Sequence, residues 1–266
     1  MAKKILKDLF KQQDLVISVF QQIIDPDVTW NLGQTGIDCI ILDLEHTGKT
    51  MEAAKLCITA ANAVDMPVIV RVYDKFQWMI EQALDAGAQG VLVPTVETVE
   101  EAKLIVRSGR FAPEGERGYC PVVPAQRWMN NFNWGTYTND VNRDIFLAAL
   151  VESPLGFQNL PDMLKVNGID AWFTGKVDLS IRIAGSFAMD GTLNQKVDQM
   201  EMDAIKLIAA AGKIAAPIAD AGNIARYYAA GSRMVMAGTS DGGGIQMGVP
   251  QVTNPMREIV KNLAQK

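Results

Sequence analysis

Cys39-Ile40-Ile41-Leu42-Asp43-Leu44-Glu45-His46 is followed by Pro67-Val68-Ile69-Val70-Arg71, and each apolar, β-branched run ends in charge. A short run that is apolar at successive positions, rather than alternating, belongs to a strand covered on both faces, the condition of a parallel sheet flanked by helices. The stretch between the two runs is helix-like, so the pair reads as a βαβ unit.

Working outward, the same unit recurs along the chain. Eight such runs are read, at residues 15–20, 39–45, 67–73, 90–96, 146–153, 171–178, 214–220 and 233–239. The segments between them have their own punctuation. Asp25-Pro26 supplies an N-cap and a first helical residue, and Thr98-Val99-Glu100-Glu101 a capping box. Gly87, Gly109, Gly212 and Gly231 stand where helices should stop. Eight βα units in 266 residues predict a single (β/α)8 TIM barrel over residues 1–266, since that fold needs about 250 residues. An open doubly wound sheet would place a Gly-rich phosphate turn after the first strand, where Gln21-Gln22-Ile23-Ile24-Asp25 stands instead. One connection, at about 110–143 and rich in Asn, Trp, Tyr and Gly, is too long for a structureless link and is expected to form a lid or a subunit contact.

Composition agrees with a soluble enzyme-sized globule: 48% of residues are apolar and 21% charged. The net charge of -5 is spread without long runs of one sign, which argues against nucleic acid or a membrane surface as partner. The basic start is interrupted by Asp8 and Asp14 before any signal-peptide core or membrane span develops, so a cytoplasmic location is expected. Cys39, Cys57 and Cys120 fit neither a disulfide framework nor a zinc knuckle and read as free thiols.

Active sites of such barrels lie at the C-terminal ends of the strands. His46 is the chain's only histidine, and imidazole is the side chain that most readily moves protons near neutral pH. A lone histidine is otherwise structural; its place beside Asp43 and Glu45 favours the functional reading. Glu152 and Asp178 end neighbouring runs, within reach of one cation whose remaining ligands would be water and substrate oxygens, a set suited to Mg²⁺, Mn²⁺ or Co²⁺. Each acid alone also reads as an N-cap or surface carboxylate. Arg71 would point into the mouth and steady a developing oxyanion, or else pair with Asp43 or Glu45.

Taken together, Leu42-Asp43-Leu44-Glu45-His46, Val70-Arg71, the run from Leu84-Asp85-Ala86-Gly87 to Val93-Pro94, Arg117-Gly118 and Asp178-Leu179-Ser180 resemble the HpcH/HpaI class II aldolases, which act on 2-oxo acids such as pyruvate. The resemblance covers most of the chain. It implies a divalent-metal-dependent barrel lyase that makes or cleaves a carbon–carbon bond of a 4-hydroxy-2-oxo acid through a metal-stabilised enolate, giving an aldehyde and a 2-oxo acid. It further implies that His46 is the base, that Asp85 raises its basicity, that Arg71 stabilises the transition state and that Glu152 and Asp178 bind the metal. Gly175, Lys176, Val177 and Asp178 would form the substrate-binding segment. Asp85 precedes the fourth strand, away from the C-terminal rim, so it would meet His46 across a subunit boundary; family members are usually homo-oligomers, often hexamers. Three departures fall around the pocket. Leu150 replaces a usual Gln, Gly175-Lys176-Val177-Asp178 replaces Gly-Pro-Ala-Asp or Gly-Pro-Asn-Asp, and Phe20-Gln21-Gln22 replaces a small, Gly-containing stretch.

Rival readings remain open at this level. Lys176 at a strand end is where a Schiff-base aldolase holds its nucleophile. A CoA thioester substrate would call for a basic patch, for which Arg107, Arg110, Arg117 and Arg127 are the candidates. A non-catalytic, metabolite-binding barrel is the third. Met234, Met236, Met247 and Met256 read as adaptable packing. Gly242-Gly243-Gly244 reads as either an anion-approaching turn or a flexible one.

Overall fold

The computed structural model describes residues 4–125, 133, 135–185 and 191–264. After α1 (Leu6–Gln12), the chain runs β1 (Val16–Gln21), α2 (Pro26–Leu32), β2 (Cys39–Asp43), α3 (Met51–Ala63), β3 (Val68–Arg71), α4 (Gln77–Asp85), β4 (Gly90–Val93) and α5 (Val99–Gly109). It continues with α6 (Tyr137–Asp144), β5 (Phe146–Val151), α7 (Pro154–Met163), β6 (Ala171–Thr174), α8 (Lys176–Ala184), α9 (Gly191–Ala210), β7 (Ile214–Ala219), α10 (Ile224–Ala229), β8 (Met234–Ser240) and α11 (Asp241–Ala264). Each strand pairs in parallel with the next, and β8 closes on β1 through Val16 and Met234, making the (β/α)8 barrel that the alternation predicts.

Period-two alternation explains why these strands are apolar throughout. Ile40, Leu42, Val68, Val70, Leu147, Ala149 and Trp172 pack outward under the helices. Cys39, Ile41, Ile69, Leu92, Ala148, Leu150 and Phe173 fill the interior, and Leu6 and Leu9 of α1 close the barrel at the strands' N-terminal end. The interior positions continue upward into Asp43, Arg71 and Glu152, so the parity that builds the core also aims the charges into the mouth.

All eight runs are strands, but several strands are shorter than the apolar runs that contain them. The largest correction concerns the sixth: β6 stops at Thr174, and Lys176, Val177 and Asp178 form the first turn of α8, with Gly175 as its N-cap. The Leu179 amide bonds the Gly175 carbonyl at 3.1 Å, a helical bond that the β-branched Val177 does not betray in sequence. Asp25 and Thr98 cap as read, the latter in a complete capping box. Gly87, Gly212 and Gly231 take positive φ at helix ends, whereas Gly109 is the last residue of α5 and Arg110 its cap.

The long connection is not structureless, since it contains α6. Its described part folds against the barrel's N-terminal end and flank, where Asn142 exchanges bonds of 2.8 and 2.9 Å with the Phe111 backbone and Arg110 reaches Asp170 at 3.0 Å. The described residues of this connection therefore form no lid over the mouth. Cys39 and Cys57 are buried, while Cys120 is exposed. Gly242, Gly243 and Gly244 lie in the first turn of α11 rather than in a free turn. No helix among the described residues is long and apolar enough to cross a membrane.

Candidate active site

Asp43 and Arg71 are cross-strand partners at the tops of β2 and β3. Both are buried, and the guanidinium donates twice to the carboxylate, from Nε to Oδ1 at 2.9 Å and from Nη2 to Oδ2 at 2.7 Å. Burial alone would push the Asp43 carboxyl up, but the hydrogen bonds and charge of Arg71 outweigh it and hold the group below its ordinary value. The same carboxylate accepts from the Glu45 and His46 amides at 3.0 and 3.4 Å, and Thr47 Oγ1 donates to the Asp43 carbonyl at 2.6 Å. Asp43 thus folds the turn that presents His46. The imidazole stands at the rim with 59% of its side chain exposed, its Nε2 3.7 Å from Glu45 Oε2.

Arg71 also lies 3.2 Å, through Nη1, from Glu45 Oε2. The pairings with Asp43 and Glu45 posed as alternatives in sequence therefore both exist. A guanidinium has five N–H donors, so these partners leave donors for a ligand oxygen. The Phe20 ring covers the guanidinium at 4.4 Å, and Gln22 Nε2 donates to Asp43 Oδ2 at 3.3 Å.

Glu152 follows β5 and is buried. The amide and hydroxyl of Thr95 both bond its Oε1, at 3.0 and 2.6 Å. Thr95 adopts φ 48°, a left-handed conformation that strains a β-branched residue, and this conformation aims both donors at one oxygen. Opposite Glu152, Gly175 leaves the necessary room: a Cβ there would lie 2.6 Å from Glu152 Cβ and 3.0 Å from Oε2. Burial raises the Glu152 carboxyl above its ordinary value, the Thr95 hydroxyl draws it back, and the charge of Asp178, in the first turn of α8, raises it further. Glu45 is likewise raised by burial and by Glu152, against the pull of Arg71. Its buried Oε2 has no hydrogen-bond partner.

These carboxylates repel one another in a poorly solvated pocket, a condition that a cation relieves. Among the described residues no group of three or more His, Cys, Asp and Glu is arranged to hold a metal. Glu152 and Asp178 are the oxygen donors that could hold such a cation, with water or substrate oxygens as its further ligands.

The model of the HpcH/HpaI aldolase/citrate lyase family matches residues 17–245. The chain belongs to this family. It is 33% identical over 205 residues to the hydroxypyruvate/pyruvate aldolase of Roseobacter denitrificans, covering 77% of this chain and 78% of that protein. It is also 33% identical over 206 residues to the 2-keto-3-deoxy-L-rhamnonate aldolase of Escherichia coli strain K12, covering 77% and 75% respectively. Among solved structures, the citrate synthase SbnG superposes with a TM-score of 0.86 at 25% identity, over 97% of this chain and 99% of that one. An HpcH/HpaI aldolase from Desulfitobacterium hafniense shares the fold, with a TM-score of 0.84 at 23% identity over 95% and 96% of the two chains. Membership makes the protein a carbon–carbon lyase of the aldolase kind.

Against the HpcH/HpaI pattern, the mouth of this chain is drier in places. Leu150 is buried in the barrel interior, where the usual Gln would offer a polar contact. Lys176 does not face the mouth: its Nζ donates to Tyr227 Oη at 2.8 Å and lies 3.3 Å from Glu201 Oε2, both on outer helices. Burial pulls the ammonium's pKa down, but these partners win and raise it, the reverse of what a Schiff-base nucleophile needs. Asp85 is not with His46 in the same chain. It ends α4 at the barrel's other end, where Arg117 Nη2 donates to it at 2.6 Å. The arginines suggested for a CoA patch do not assemble one. Arg110 and Arg117 are buried and paired, Arg107 lies 3.7 Å from Glu116, and Arg127 is outside the described residues.

In the sequence Asp43 stands out only as a neighbour of His46 and a partner for Arg71, not as the organiser of both, and Thr95, Glu201 and Tyr227 do not stand out at all. Asp43 had a signal, an acid ending a wholly apolar strand; Thr95 and the outer pair had none outside three dimensions.

Proposed function

We propose that this protein is a divalent-metal-dependent aldolase that cleaves or forms the C3–C4 bond of a 4-hydroxy-2-oxo acid, releasing or using pyruvate, or a related 2-oxo acid, and an aldehyde. The observation that supports it most is geometric: Glu152, buried at the top of β5 with Oε1 held by both Thr95 donors, packs against Gly175, from which the helix carrying Asp178 starts, in the mouth that also holds Arg71. Glu152 and Asp178 would hold Mg²⁺, Mn²⁺ or Co²⁺, which supplies Lewis-acid polarisation of the substrate's carboxylate and carbonyl.

The chain's own groups account for the rest. In the cleavage direction His46 takes the proton of the C4 hydroxyl, the C3–C4 bond breaks, and the aldehyde leaves as the electron pair moves toward the C2 oxygen. Arg71 donates to that oxygen, and a proton returns to C3. The Gly175 amide is spent on the Val151 carbonyl at 2.9 Å, but the amides of Lys176 and Val177, which no side chain caps at the start of α8, suit the substrate's carboxylate. Here the backbone of Lys176 takes part and its side chain does not.

The reading includes one barrel unit over residues 1–266, a cytoplasmic location suited to free thiols, and a homo-oligomer, hexameric by family resemblance. Asp85 of one subunit would then act on His46 of another. The exposed apolar residues Ile245, Met247, Val249, Val252, Met256 and Val260 of α11 support association.

The test is pyruvate release from a panel of 4-hydroxy-2-oxo acids before and after EDTA, then after Mg²⁺, Mn²⁺ or Co²⁺ is restored. Loss and recovery are expected, with Glu152→Gln and Asp178→Asn inactive under all three metals. Turnover that survives complete metal removal overturns the mechanism. The rival reading, a CoA thioester substrate, lacks the basic patch it calls for among Arg107, Arg110 and Arg117; turnover only with a CoA thioester would select it.

A further inference from the structure

We infer that Glu201 is a positioning residue for the Glu152/Asp178 centre: its buried carboxylate staples the end of β6 to the first residue of α8 and so fixes where Asp178 stands. The inference rests on the metal reading above and concerns how this chain orders its own ligands.

The connection to be held is a single residue, Gly175. That residue is kept small by Glu152, whose Cβ would lie 2.6 Å from any side chain placed there, and glycine gives the turn the least backbone restraint of any residue. The start of α8 also lacks the restraints that four other helices carry, a lack it shares with α1, α4, α6 and α10. Asp25, Thr50, Thr98 and Ser153 cap α2, α3, α5 and α7 with their side chains, and α2 and α7 begin with Pro26 and Pro154. The N-terminus of α8 has no side-chain cap, and its first residue is Lys176. The helix that presents Asp178 therefore begins on a glycine, uncapped, and without the fixed φ that proline supplies at this position.

Glu201 supplies the restraint from behind. Thr174, the last residue of β6, points outward like Trp172, and its Oγ1 donates to Glu201 Oε1 at 3.0 Å. On the other side of Gly175, Lys176 Nζ lies 3.3 Å from Glu201 Oε2. Tyr227 Oη bridges the two, donating to Glu201 Oε2 at 2.5 Å while accepting from Lys176 Nζ at 2.8 Å. Glu201 and Thr174 are fully buried. One carboxylate thus grips both flanks of the one-residue turn, and Ser180 Oγ locks the same turn by donating to the Lys176 carbonyl at 2.6 Å. Apolar packing would bury these side chains at least as well, but only directional bonds fix the angle at which α8 leaves the strand.

The test is Mn²⁺ binding to the full-length metal-free protein, titrated by the electron paramagnetic resonance of free Mn²⁺, with melting temperature followed in parallel. Lys176→Met/Glu201→Gln removes both charges together, leaving no orphaned ion to unfold the protein. It is expected to melt close to wild type yet bind Mn²⁺ about 10–100-fold more weakly, the usual range for groups that orient metal ligands. Lys176→Pro/Glu201→Gln, which replaces the staple by a fixed φ, is expected to recover most of that loss. Thr174→Val, which cuts only the strand side, should weaken binding by a smaller factor. Wild-type affinity in both Lys176→Met/Glu201→Gln and Thr174→Val overturns the inference while leaving the metal reading intact. Mn²⁺ binding to wild type that Glu152→Gln does not diminish overturns the metal reading and the inference with it.

Discussion

Asp43 grips Arg71 at two points, Nε to Oδ1 and Nη2 to Oδ2, and the same carboxylate organises the turn that carries His46. The pair therefore sets the geometry of two proposed catalytic groups. Arg71→Lys keeps the charge but not the fork, so kcat for aldol cleavage should fall by about 10²–10³-fold, the range for losing one oxyanion donor. Mn²⁺ affinity should change little. Asp43→Ala leaves a buried guanidinium with half its partners and should cost about 3–5 kcal/mol of stability, read by urea denaturation. Unchanged kcat in Arg71→Lys would show that Arg71 serves the fold alone.

Thr95 and Glu152 make a second such relationship, because two donors from one strained residue meet a single oxygen of the proposed ligand. Thr95→Val removes the hydroxyl and keeps the shape and the strain. Mn²⁺ affinity should drop about 10-fold or more, as for other partners of ligating carboxylates, while the far-ultraviolet circular dichroism stays that of wild type. A Thr95→Val protein with wild-type Mn²⁺ affinity would mean that burial alone orients Glu152.

The barrel could be read from sequence because its signal is local. Runs such as Val68-Ile69-Val70 are apolar at consecutive positions only if both faces are covered, and the charges that end them mark the mouth. Asp43, Arg71 and Glu152 were accessible for the same reason: each continues the inward parity of its strand. The boundary at Gly175 was not, because Val177 extends a β-branched run into what is the first turn of a helix. The Glu201–Lys176–Tyr227 contact was not either, since it joins three outer helices far apart in sequence. The place of Lys176 in the chain suggested a mouth-facing amine, and its actual direction depends on where α9 and α10 pack.

That direction gives a chemical prediction. Treatment with pyruvate and borohydride should leave the protein's mass unchanged, because the Lys176 ammonium is held by Tyr227 and Glu201 on the outer face of the barrel. An adduct of one reduced pyruvate mapped to Lys176 by peptide mass spectrometry would sink the metal mechanism in favour of covalent catalysis.

Asp85 offers the sharpest separation between a one-chain and a shared site. Within one chain it sits with Arg117 at the end of α4, while His46 stands at the opposite rim, so no side-chain rotation brings the two together. If the proposed oligomer joins them across a boundary, His46→Ala and Asp85→Ala should each lower turnover, by about 10²–10⁴-fold for the loss of the base itself. Unfolding and refolding the two variants together should then restore part of the wild-type rate, because some mixed sites receive an intact His46 from one subunit and an intact Asp85 from its neighbour. Refolding either variant alone should restore nothing. If the mixture stays as slow as its parents while native mass spectrometry shows mixed oligomers, Asp85 works within its own subunit, and the 2.6 Å contact with Arg117 is its whole role.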